Sequence, residues 1–293
     1  MEMKEFNLAE KLYEDAKAKD ETITINGDSS SWPAPINKMA YQGLAGEIVK
    51  TIEPHTESDP VAILIQTLTV FGNIVGPGPH FMVEADKHPA RLFSVICGNT
   101  SKARKGTSGG IVNRLFKDID EEWSGDRIKS GLSSGEGISY HVRDPGTFGG
   151  KGQVDPGISD KRLFIIESEF ASVLKAASRE GNILSATIRQ AWDTGNLATL
   201  TKNNPVKATG AHVSIVGHIT ETELRRYLSE TEVFNGLANR FLWLCVKRSK
   251  VLPEGGRIHE MDLTPLTDKI RKAVEFAGTV DEIKRDPEAR KIW

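Results

Sequence analysis

The chain has 293 residues, 38% hydrophobic and 27% charged, with a formal net charge of -2 and a pI near 6.4. That balance supports a sizeable core and excludes a polycation, so nucleic-acid contact would have to come from a local basic surface. Residues 1–5 carry no basic start followed by an apolar stretch, so no signal peptide is read. The most apolar segment, 60–76, contains Gln66 and Asn73 and falls short of the roughly 20 apolar residues of a membrane span. Cys97 and Cys245 each sit in an apolar run, the pattern of reduced, buried thiols, and a cytoplasmic compartment with no membrane contact is expected.

In chain order, residues 6–20 read as a charged amphipathic helix and 22–37 as a linker rich in Ser and Pro. Apolar spacing predicts helices over 41–52 and 61–75, closed by the turn Gly76-Pro77-Gly78-Pro79. Strands are predicted at 80–84 and 92–96, with a helix from about 108 to 123. A glycine-serine turn at 131–137 leads into another helix, and 146–160 reads as a loop. The runs 163–166, 213–217 and 241–246 are short and apolar, as buried parallel strands are. Strands alternating with helical stretches predict an α/β layer structure with a largely parallel sheet. Residues 1–38 are expected to form an N-terminal helix and linker, 39–85 a helical lead-in, 86–250 the core, and 251–293 the start of a C-terminal helical region.

Between the strand at 92–96 and its helix stands Gly98-Asn99-Thr100-Ser101-Lys102-Ala103-Arg104-Lys105-Gly106-Thr107-Ser108. A buried strand, small residues whose N–H groups converge on phosphate, a lysine and a hydroxyl for Mg²⁺ are the parts of a nucleotide-phosphate loop. Arg104 stands where the usual pattern has glycine, and Gly98 lies one residue farther from Lys105 than in the regular motif. Lys105-Gly106-Thr107 is the order found in adenylate kinases, which makes Lys105 and Thr107 the expected phosphate and metal pair, with Ser108 in reserve. A polar turn after a strand is the structural alternative.

The run Leu163 to Ile166 ends in Glu167-Ser168-Glu169, so a strand tip carries two carboxylates, as ATP hydrolysis requires for Mg²⁺ and for the attacking water. With side chains alternating along a strand, Glu167 and Glu169 share a face if the strand persists. Glu169 is the expected water-orienting base and Glu167 the metal-side acid, with Glu136, after the strand that follows the loop helix, as the alternative catalytic carboxylate. His218, after the run from 213, is the candidate γ-phosphate sensor. Arg240, before the run at 241–246, is the candidate arginine finger for a neighbour's ATP, with a local salt bridge as the alternative. Lys202 lies in a polar hairpin after Trp192-Asp193-Thr194-Gly195, where it could touch a phosphate backbone.

On these residues the chain resembles an uncharacterised phage, plasmid and bacterial ATPase family whose domains often accompany primase-polymerase modules. The resemblance spans about Trp32 to Trp293. Its carriers are residues 43–49, 52–56, 102–108, 130–137, Glu167-Ser168-Glu169-Phe170, Arg189-Gln190-Ala191-Trp192-Asp193 and 236–243. It implies a P-loop NTPase core of the additional-strand class, RecA- or AAA+-like and related to replicative helicases, with Lys105 and Thr107 at the loop, Glu169 at the Walker B position and Arg240 as a finger. ATP and Mg²⁺ are the implied cofactors. Single-stranded or forked DNA, a homo-oligomeric ring and a primase-polymerase protein are the implied partners. The family continues into a C-terminal helical region, so the chain is expected to be a fragment of it. A nucleotide-dependent regulatory or DNA-loading module with little turnover, and a small-molecule kinase, are the competing expectations.

Overall fold

The computed structural model describes residues 33–99, 105–148, 153–199 and 205–292. The helix expected at 6–20, and the site candidates Ala103, Arg104 and Lys202, lie outside the described residues. Helix α1 (Gly43–Ile52) opens the fold and passes directly into a 3-10 turn, Glu53–His55, where Pro54 has no N–H to continue the α-helical bonding. Asp59 then caps α2 (Pro60–Ile74): its carboxylate accepts the Val61 N–H at 3.0 Å, and Pro60 fills the first helical position, where its missing N–H is not needed. Nearly the whole of α2 is buried, as an all-round apolar helix must be.

Strands β1 (His80–Val83) and β2 (Asp86–Pro89) pair as an antiparallel hairpin. Then follow β3 (Phe93–Cys97), α3 (Lys105–Phe116), α4 (Glu121–Asp126), β4 (Ile128–Lys129) and α5 (Gly135–His141). A second hairpin, β5 (Gly146–Phe148) with β6 (Gln153–Asp155), precedes β7 (Arg162–Glu167), α6 (Phe170–Ala177) and α7 (Leu184–Asp193). A short ladder of β8 (Leu197–Ala198) and β9 (Lys207–Ala208) leads to β10 (His212–Ile219), α8 (Glu221–Tyr227), α9 (Glu230–Phe234), β11 (Leu242–Cys245), α10 (Thr264–Ala277) and α11 (Pro287–Ile292).

Five strands form one fully parallel sheet in the order β11-β3-β10-β7-β4. The central strands β3 and β10 are buried along their whole length, which explains why they read as unbroken apolar runs. On one face, Ile138 of α5, Phe170 and Leu174 of α6, and Leu184 and Ile188 of α7 pack against Val95, Ile165 and Ile215. On the other, Ile48 of α1, Ile63 of α2, Val112 and Leu115 of α3, and Ile270 of α10 pack against Ile96, Phe164 and Val216. Helices on both faces of a parallel sheet make a three-layer α/β fold. Among the described residues no helix is long and apolar enough to cross a membrane.

Three expectations need correction. The helix placed at 108–123 is two helices: α3 begins at Lys105 and stops at Phe116, and the Asp120 carboxylate, accepting the Trp123 N–H at 2.9 Å, starts α4. The segment 146–160 contains the β5–β6 hairpin. Cys97 is buried as expected, but Cys245 is exposed, because among the described residues β11 is an edge strand of the sheet.

Asn73 and His212 are among the polar side chains that tie α2 to the sheet. Asn73, fully buried, donates through Nδ2 to the carbonyls of Leu163 at 3.2 Å and His212 at 3.0 Å, while its Oδ1 accepts the Trp123 indole N–H at 2.9 Å. His212, also fully buried, lies with Nε2 2.8 Å from the Gly72 carbonyl; a carbonyl only accepts, so Nε2 carries the proton. Its Nδ1 has no hydrogen-bond partner among the described residues. Burial, helped by the charges of Arg91 and Arg162 and opposed by the Gly72 bond, pushes the His212 pKa down to about 4. A depressed folded-state pKa means that the unfolded chain takes up the proton first. The stabilisation is therefore complete above the unfolded value of about 6.5 and is lost as pH falls toward 4, at up to about 1.4 kcal/mol per pH unit. Urea midpoints measured across that window are expected to fall for the parent protein, and to fall less steeply for His212→Gln.

Candidate functional site at the carboxyl edge of the sheet

Because the sheet is fully parallel, all its strands deliver their following loops to one edge, the place where open α/β sheets bind ligands. Gly98 leaves β3 there, with its N–H donating to the Ile219 carbonyl of β10 at 3.1 Å. On the other side the Val246 N–H donates to the Cys97 carbonyl at 2.8 Å. The exit of β3 is thus pinned between β10 and β11. The chain returns as α3, whose first residue is Lys105, so the positive end of a helix dipole opens at this edge.

The structure separates the two hydroxyls considered for the metal. Thr107 is exposed in the first turn of α3. Ser108 is fully buried and accepts a hydrogen bond from Gln66 Nε2 of α2 at 2.6 Å. Its hydroxyl joins two helices, whereas that of Thr107 is at the surface. Gly109 lets α2 come this close, since a Cβ there would stand 3.0 Å from the Gln66 Oε1. Among the described residues nothing beyond its own helix comes within 4 Å of where a Cβ on Gly106 would be.

The paired carboxylates do not share a face. Strand β7 ends at Glu167, and Ser168 and Glu169 turn into α6, so strand alternation stops before it reaches Glu169. Glu167 is 5% exposed, and its Oε1 accepts the Leu132 N–H at 2.6 Å, which fixes the loop after β4 against the tip of β7. Glu169 is exposed and caps α6 through its carbonyl, which accepts the Ser172 N–H at 2.9 Å, leaving the carboxylate at the surface. Glu136 is likewise exposed, in the first turn of α5, and Ser134 caps that helix through the Gly137 N–H at 3.2 Å. Gly217, in register with Glu167, is where the Phe170 ring crosses β10; any Cβ there would collide with that ring.

His218 is buried within β10 rather than beyond its tip, since the strand runs on to Ile219. It stands beside Ile96 of β3 in the ladder. Arg240 is at the wrong end of the sheet for this chain's own loop. It precedes Leu242, which is in register with Ser94, whereas the loop begins after Cys97. Its guanidinium is bidentate on the Asp193 carboxylate at 3.1 and 2.8 Å and also donates to the Gly236 carbonyl at 2.6 Å. The local salt bridge, the structural alternative, accounts for Arg240 in this structure. Compared with known proteins, the chain matches no family model and no curated sequence.

Sequence reasoning missed two features of this edge. The Leu132 bond to Glu167 joins residues 35 positions apart, and no local spacing signals such a contact. The segment after β11, with Lys247, Arg248 and Lys250, follows an apolar run as Lys102 to Lys105 does, and that cationic pattern was its one available signal. Among the described residues no group of three or more His, Cys, Asp or Glu could hold a metal by itself.

Proposed function

We propose that this chain is an ATP-binding and ATP-hydrolysing domain of the P-loop class, acting as a helicase-type motor on DNA in replication of a mobile element. The observation that carries it is the sheet order: the strand leading to Lys105 and the strand ending in Glu167 open at one edge, with β10 between them. An added strand, β4, falls between them in the chain. In this reading Lys105 neutralises the β- and γ-phosphates, Thr107 and Glu167 hold Mg²⁺, Glu169 orients the attacking water, and His218 responds to the γ-phosphate from β10.

The donor set suits Mg²⁺, which keeps several waters and takes one or two carboxylates beside substrate phosphates rather than a dedicated protein cage. An exposed hydroxyl at Thr107 and one acid at the tip of β7 are what that chemistry asks of the protein. The bound ion would supply charge neutralisation on the phosphates. DNA, ring assembly and a primase-polymerase partner rest on the family resemblance alone.

A second reading, a nucleotide-dependent module with little turnover, is favoured by one observation: the Glu167 carboxylate is already committed to the Leu132 N–H, and no second acid adjoins it in the chain. Phosphate release with and without single-stranded DNA separates the two. For the motor, Lys105→Ala is expected to lower turnover about 100-fold or more, as loss of a main phosphate contact does. Turnover by Lys105→Ala equal to the parent's would overturn the assignment; tight MgATP binding by the parent without phosphate release would favour the module.

A further inference from the structure

Beyond β11 the chain is held with unusual care. The Lys247 N–H donates to the Asp59 carboxylate at 3.1 Å, the Ser249 N–H to the Glu57 carbonyl at 3.0 Å, and the Leu252 N–H to Glu57 Oε1 at 3.0 Å. Lys250 donates to the Glu53 carbonyl at 2.9 Å and pairs with its carboxylate. The turn between α1 and α2 therefore clamps residues 247–252 in place. Glu57 is 5% exposed, and its other oxygen, Oε2, lies 3.6 Å from Arg248 Nη2. Arg248 itself keeps 31% of its side chain exposed.

A buried carboxylate is costly to keep unless its charge is answered, so Glu57 fixes where the guanidinium sits. A guanidinium carries five N–H donors in a planar fork, so a carboxylate can orient it from one edge while another edge addresses phosphate oxygens. Register gives its level. Cys245 pairs with Cys97 and the Val246 N–H with the Cys97 carbonyl, so Arg248 leaves β11 just past the point where β3 gives way to its loop at Gly98. The side of β3 also matters. Glu167 and His218 lie across β10 and β7, whereas β11 is on the opposite flank of β3. A triphosphate whose γ-group faces the carboxylates presents its α- and β-phosphates toward β11.

We propose that Arg248, oriented by the positioning residue Glu57, binds the non-transferred phosphates of the nucleotide. This rests on the reading of the edge as a nucleotide site. The decisive experiment measures ATP, ADP and AMP affinity and single-turnover hydrolysis for the parent, Arg248→Ala, Arg248→Lys, Glu57→Gln and Lys105→Ala, with melting curves for each. Arg248→Ala is expected to weaken ATP and ADP about tenfold, the range of one charge-assisted hydrogen bond, and to weaken AMP less, with the rate of the chemical step kept within threefold. Arg248→Lys recovers part of that loss, and Glu57→Gln, which keeps an acceptor for Leu252, shows a smaller loss in the same direction. Unchanged ATP and ADP affinity in Arg248→Ala, or a loss confined to the chemical step, overturns the proposal while leaving the nucleotide site intact. If Lys105→Ala also binds as the parent does, or the parent binds no nucleotide, both readings fall.

Discussion

Glu169→Gln is expected to slow the chemical step of ATP hydrolysis about 100-fold or more while leaving ATP affinity within threefold, because a base that orients water acts on the transition state and contributes little to ground-state binding. Glu167→Gln is expected to behave differently. Its side chain is buried and accepts the Leu132 N–H at 2.6 Å, so the amide keeps an acceptor for that bond but loses the negative charge facing a metal. Mg²⁺ dependence should therefore shift to higher concentration together with a fall in rate. Glu136→Gln is the control for the competing carboxylate, since Glu136 is exposed at the start of α5. Single-turnover quench-flow on the three variants measures each role separately. Intact chemistry in Glu169→Gln with loss in Glu136→Gln would move the base to α5, and unchanged Mg²⁺ dependence in Glu167→Gln would remove the metal-side acid.

Asn73→Ala is expected to destabilise the fold by about 3 kcal/mol, lowering the melting temperature by about 6–12 °C. Four groups answer to Asn73: the Trp123 indole N–H, the carbonyls of Leu163 and His212, and the Ser214 hydroxyl, 3.3 Å from Nδ2. All are buried, and removing a shared partner leaves each without the bond it makes now, which costs more than the bond itself contributes. Asn73→Asp keeps an acceptor for Trp123 but removes the amide donors and buries a charge, so it should be no better. Thermal melts by circular dichroism check both; a shift below about 2 °C for Asn73→Ala would show that the Asn73 bonds contribute little to holding α2 on the sheet.

Much of this fold is legible in the sequence for a physical reason. Strands such as Phe93–Cys97 and His212–Ile219 lie in a parallel sheet covered on both faces, so each is an apolar run that stands out against its charged flanks. Helix α2 announces itself through Asp59 and Pro60, whose capping chemistry is local. Strand β4 was expected only as a strand without bounds between the loop helix and Glu136, because two residues carry no period and their pairing depends on β7, more than 30 positions away.

The candidate site divides along the same line. Lys105 at the head of α3 and Glu167 at the tip of β7 follow from a strand and its exit, and both were expected at one edge. What spacing could not show is where the strand would stop. Alternation put Glu167 and Glu169 on a common face, yet β7 ends at Glu167 and Phe170 already belongs to α6, which leaves one acid buried and the other exposed. Likewise Ser108 and Thr107 both carry a hydroxyl. The Lys-Gly-Thr order favours Thr107, and the approach of Gln66 from α2 separates their surroundings, burying Ser108.

The central claim is that Lys105 and the carboxyl edge of the sheet form a MgATP site, and isothermal titration of the parent protein and of Lys105→Ala with MgATP tests it most directly. One nucleotide bound per chain by the parent, with affinity reduced at least tenfold in a Lys105→Ala protein of unchanged melting temperature, is the predicted result. Binding of equal strength in both proteins, or no heat of binding in the parent, would contradict it.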